Sequence, residues 1–163
     1  MTQDVIDSAA GIHPGSPVAA LRAERPLFVQ HSQGSYDVLI RPADAGGVSQ
    51  TMRAAVALRV AVLNAYAPLI AQYTHRLREI GVEPSVIVAV EAGRTPDLPR
   101  LNAVLHHVDR VTKAPDTAEK QHLDALLTTG LSPRDIVAIS QIIAFVSYQV
   151  RVAAGLRLMA HRA

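Results

Sequence analysis

Tyr66 and Tyr73 stand seven residues apart in NAYAPLIAQYTHRLREIG, which puts both phenols on the apolar side of one helix. Phenols at such positions either close the core with a hydrogen-bonded hydroxyl or face a bound molecule. A second set lies in the C-terminal stretch, where Ser140, Gln141, Ser147, Gln149 and Arg151 interrupt an apolar helical run. Polar groups there need partners. They serve an inter-helix or inter-subunit network, or else Gln141, Tyr148 and Arg151 line a small-molecule pocket in which Arg151 holds a carboxylate. Glu91 is the alternative partner that would neutralise Arg151 structurally. Because Val150 and Val152 flank it, Arg151 is expected to be at least half-buried and paired.

The remaining chemistry is restricted by residue type. With no cysteine in the sequence, disulfides, thiolate metal sites, iron–sulfur clusters and thiol nucleophiles are excluded together. His106 and His107 are adjacent and diverge by about 100° on a helix, and no HxxxH or HExxH spacing occurs. No metal and no cofactor are expected. His75 shares a polar face with Gln72, Arg76 and Glu79, a solvated surface or, alternatively, the place of a catalytic acid or base.

These residues are positioned by helices. From Ser49 onward the apolar spacing is helical: Ser49 or Thr51 caps a mostly buried segment through Met52, Val56, Val60 and Leu63. A second helix starts near Pro68, carries Leu69, Ile70, Leu77 and Ile80, and stops at Gly81. Pro68 is simplest as a helix start; the sharper reading is a helix N-terminus facing a pocket. A short apolar piece follows Pro84, and a stripe of Leu101, Val104, Leu105, Val108 and Val111 marks a helix from Pro99 to Thr112. Asp116 and Glu119 read as a capping box for a helix ending at Gly130. Ser132, Pro133 and Asp135 then open the longest helix, running to about Ala160. Residues 1–48, with Pro14, Pro17, Pro26, Pro42 and several glycines, read as a mostly irregular N-terminal arm docked on the helical domain 49–163.

The 163 residues suit one domain. Hydrophobic residues make up 49% and charged ones 18%, so apolar surface is left over and a homo-oligomer is expected. Net charge is +2, and Arg22, Arg53, Arg76, Arg110 and Arg134 are scattered among acids, which argues against a nucleic-acid partner. The first residues lack a cationic and apolar leader, so the cytoplasm is expected. The apolar run Ile136 to Val146 is short and contains Ser140 and Gln141, so no membrane partner is expected.

The second half, VTKAPDTAEKQHLDALLTTGLSPRDIVAISQIIAFVSYQVRVAAGL, resembles peroxidase-related members of the carboxymuconolactone decarboxylase and alkylhydroperoxidase D-like family, through Thr112, Pro115, Gly130, Phe145 and Arg151. The resemblance extends over roughly residues 50–158 and implies an all-α, oligomeric fold. That family carries a glutamate, then CxxC, then histidine. Laid on this chain without gaps, the glutamate falls at Ala54, the cysteines at Tyr66 and Leu69, and the histidine at Tyr73. The resemblance therefore implies an inherited scaffold without the thiol peroxidase centre, serving binding or assembly. Two alternatives stand beside it: a thiol-independent decarboxylase or lactone-processing enzyme, and an inactive partner of a cysteine-bearing relative.

Overall fold

Proline and short polar residues set the helix starts. In the computed structural model, which describes residues 4–160, the chain forms α1 (Val5–Ala10), α2 (Pro17–Ala23), α3 (Pro26–Ile40), α4 (Gln50–Leu63), α5 (Ala67–Glu79), α6 (Pro84–Glu91), α7 (Pro99–Lys113), α8 (Lys120–Leu127) and α9 (Pro133–Ala160). A 3-10 turn, Pro115–Thr117, precedes α8, and no strand occurs among the described residues. Proline opens α2, α3, α6, α7 and α9, where its missing N–H costs nothing and its fixed φ suits the helix.

The core is built around α4. Every residue from Met52 to Ala61 is buried. Such a helix must be apolar on all faces, and Ala54, Ala55, Ala57 and Ala61 supply short side chains where its neighbours approach. Helices α3, α5, α6, α7 and α9 all pack on it.

Two buried arginines tie α4 to its surroundings. Arg53 donates from Nε to the carbonyl of Val48 (2.9 Å), and from its terminal nitrogens to those of Leu39 (2.8 Å) and Ala45 (3.0 Å). The connection between α3 and α4 is thereby fixed. Arg59 grips Asp109 of α7 with two bonds of 2.6 Å and reaches the Arg94 carbonyl at 3.3 Å. A guanidinium cannot lose its proton to escape burial, so these acceptors are a condition of the helix lying where it does.

Helix α9 is long and apolar enough to cross a bilayer by length and composition. That passes the limit the shorter run Ile136 to Val146 had suggested. Its Ile139, Ile142, Val146, Val150 and Ala153 lie in the core, and it packs on α1, α2, α3, α4, α7 and α8. Ser132 and Asp135 close its N-terminus reciprocally: Asp135 accepts from Ser132 N (2.9 Å) and Oγ (2.8 Å), while Ser132 Oγ accepts from Asp135 N (3.2 Å). These bonds hold the Asp135 carboxyl below its usual range.

Two expectations are corrected. The arm expected over residues 1–48 is, in its described part 4–48, not mostly irregular, because α1, α2 and α3 fill much of it. Their prolines start helices rather than loops, and Val5, Ile6, Ala9, Val18, Tyr36 and Ile40 join the same core as α4 and α9. The capping box before α8 pairs Glu119 with His122, whose Nδ1 accepts the Glu119 N–H at 3.0 Å, while Asp116 sits in the 3-10 turn.

Gly47 generates the first prediction. A Cβ there would fall within the Asp135 carboxylate, which the α9 cap holds in place. Gly47→Ala should cost about 1–3 kcal/mol in urea unfolding. Gly34→Ala, within α3 with nothing near an added Cβ, should be neutral or stabilising by up to ~1 kcal/mol. Equal midpoints for both variants would contradict the placement of Asp135.

His107 generates the second. It is 7% exposed, and neither ring nitrogen has a hydrogen-bond partner. Burial, then Arg110 and His122, lower its pKa. The unfolded chain therefore takes up this proton first, so stability should fall as pH drops below about 6.5 toward the lower folded value. In His107→Leu that part of the slope should vanish; an unchanged pH profile of the urea midpoint would refute it.

Candidate functional site

The turn between α4 and α5 places the residues that matter. Asn64 Nδ2 folds back to the Val60 carbonyl at 2.8 Å, and Ala65 adopts a left-handed φ of 51°. For alanine that costs roughly 1–2 kcal/mol. The strained residue turns the chain within the short link, so that Tyr66 N still reaches the Ala61 carbonyl at 3.1 Å and α5 begins at Ala67, with Pro68 in its first turn.

Tyr66 is half-buried at the start of α5, and its hydroxyl donates to the Ala9 carbonyl of α1 at 2.9 Å. Burial raises its pKa, with Arg157 working in the opposite direction. One turn on, Leu69 is fully buried, as is Tyr73, while Ala54 of α4 is 1% exposed. All belong to the same core cluster, with Tyr66 packed at its edge.

The Tyr73 hydroxyl donates to Gln149 Oε1 of α9 at 2.5 Å. Burial, with Tyr36 adding to it, raises the phenol well above its ordinary pKa. Gln149 is itself fully buried, and its Nε2 has no hydrogen-bond partner. A neutral phenol bonded to a neutral amide, walled in by aliphatic side chains, is neither a nucleophile nor a proton relay at neutral pH.

The five ligand-contact candidates are not brought together. Gln141, Tyr148 and Arg151 lie on the exposed side of α9. Tyr148 shares a hydrogen bond of 3.0 Å with Ser32, stacks on Phe145 with ring centroids 6.3 Å apart, and borders a shallow groove with Phe28 and His31. Arg151 is exposed, not buried or half-buried: its guanidinium donates to the Ser147 carbonyl of its own helix at 2.8 Å. Neighbours in sequence diverge by about 100° on a helix, so apolar flanks do not bury the residue between them. Glu91 instead receives the Thr74 hydroxyl. Pro68 borders a surface depression with Gly11 and Arg157. His75 stands on the open surface, 3.2 Å from Glu79.

Gln149, rather than Gln141, is the buried amide. The core stripe Ile139, Ile142, Val146, Ala153 contains position 149 and omits 141, so the spacing carried the signal.

No protein-family model and no curated protein matches the sequence. Solved structures do match. A peroxidase-related protein from Ralstonia eutropha, described as an alkylhydroperoxidase AhpD core, superimposes with a TM-score of 0.74 at 22% identity, over 95% of this chain and 85% of its own. A peroxidase-related protein from a Silicibacter species gives a TM-score of 0.74 at 16% identity, over 95% and 92%. The chain therefore has the all-α fold of the alkylhydroperoxidase AhpD core, carried without a single cysteine.

Proposed function

We propose that this protein performs no thiol peroxidase chemistry and acts in small-molecule binding or assembly. The observation that carries this reading is the packed centre: Ala54, Leu69 and Tyr73 are at most 1% exposed, and the Tyr73 hydroxyl is committed to Gln149. Thiol peroxidase chemistry needs an accessible thiolate with a lowered pKa, and neither leucine nor a buried phenol supplies one.

Assembly is favoured by the outer surfaces of α3 and α9. Leu27 is 63% exposed, Phe28 65%, Val38 65% and Leu158 68%, large apolar side chains on helices that also feed the core. A second copy of the chain would cover it. A cysteine-bearing relative on the same surface is the second reading, and self-association tests it first. The thiol-independent enzyme gains less support, because His75 lies on an open surface and not in a cleft.

Purified protein should consume peroxide in the presence of a dithiol reductant no faster than the blank. Turnover that survives metal chelation would contradict the reading. Light scattering across the size-exclusion peak should give at least twice 17.4 kDa. Phe28→Asp combined with Leu158→Asp should lower that mass; a wild-type mass of one chain at micromolar concentration would refute assembly.

A further inference from the structure

Where α1 meets α2 the structure leaves a cavity of about 220 Å³. Ile12, Ala19, Ala23 and Val29 supply apolar wall, and Asp7 and Arg22 supply its charged edge. The small side chains of α2 are what leave the space open.

Among the described residues, Arg22 is the one cation paired with both carboxylates at that edge, and His13 lines the cavity beside them. Arg22 meets Asp4 Oδ2 through a terminal nitrogen at 2.5 Å and Asp7 Oδ1 through Nε at 2.5 Å. Asp4 is otherwise spent, because its Oδ1 caps α1 by accepting from Ile6 N (2.8 Å) and Asp7 N (2.7 Å). Asp7 faces Arg22 without hydrogen-bond geometry. Two carboxylates thus share one guanidinium, with side chains only 12% (Arg22), 4% (Asp4) and 18% (Asp7) exposed. An excess negative charge held away from water is costly unless a cation joins it.

We propose that this cavity binds a small primary amine, with its apolar body between α1 and α2 and its ammonium group donating to the Asp7 carboxylate. The raised pKa of Asp7, caused first by burial and then by Asp4, is consistent with a carboxylate short of positive charge. This assigns a ligand class to the binding half of the function proposed above and rests on that half; assembly through α3 and α9 is independent of it.

The test uses the full chain with three ligands of one shape at pH 7 and equal ionic strength: cyclohexylamine, cyclohexanol and cyclohexanecarboxylate. At about ten times its Kd the amine should raise Tm by roughly 3 °C, and amide NMR shifts should concentrate in α1 and α2. Asp7→Asn should weaken the amine at least about tenfold, the loss of one buried charge partner. Ala19→Leu, which fills the cavity without touching the charges, should abolish binding of every ligand. Alcohol binding as tightly as amine, in wild type and Asp7→Asn alike, would overturn the ligand class and leave the binding reading standing. No binding of any of the three, or amine binding unmoved by both variants, would overturn the site and leave the broader binding reading standing.

Discussion

A helix buried along ten successive residues has nowhere to put a charge, and α4 carries two. Arg53 and Arg59 can lie there only because carbonyls of α3 and of the α3–α4 connection, and the carboxylate of Asp109, meet them. The same contacts fix the approach of α3 and α7 to the central helix. Gly47 belongs to this constraint: the connection that Arg53 holds passes so close to the α9 cap that no side chain fits.

What α4 presents to α5 follows from this burial. Ala54, Leu69 and Tyr73 are core residues, and Gln149 on α9 completes them with an amide that accepts the phenol. A buried hydroxyl must have an acceptor, and one glutamine supplies it at the cost of its own unsatisfied N–H. Ala54, Leu69 and Tyr73 thus serve packing, and buried or half-buried charge lies in the arginine clamps and in the Asp4–Asp7–Arg22 cluster beside the α1–α2 cavity.

From Ser49 onward the helices were legible because their ends carry local chemistry: Ser49 Oγ accepts from Met52 N at 3.2 Å, Gly81 and Gly130 adopt positive φ, and Ser132 caps α9. Before it, the same residue types misled. Pro17 and Pro26 punctuate loops and start helices alike, and only tertiary packing of Val18, Tyr36 and Ile40 decides between the two. Burial on α9 was hardest to read, since a helix apolar on several faces hides which one is inside. Arg151 points out and Gln149 points in, two positions apart. The ion pairs linking Arg22 to α1 and Arg59 to α7 join residues far apart in sequence, and no local pattern announces them.

The central proposal is that Leu69, one of the positions expected to match a redox motif, is sealed core, and the absence of cysteine allows a direct measurement. A single thiol introduced by Leu69→Cys would be the only one in the molecule. Its reaction with an aromatic disulfide reagent at pH 7, followed against the unfolded variant in urea, reports access and thiolate character together. The account predicts labelling slower than in the unfolded chain by about 10³-fold or more, paced by opening of the structure. Labelling of the folded protein as fast as the unfolded chain, or faster, would show an accessible, activated position and contradict it.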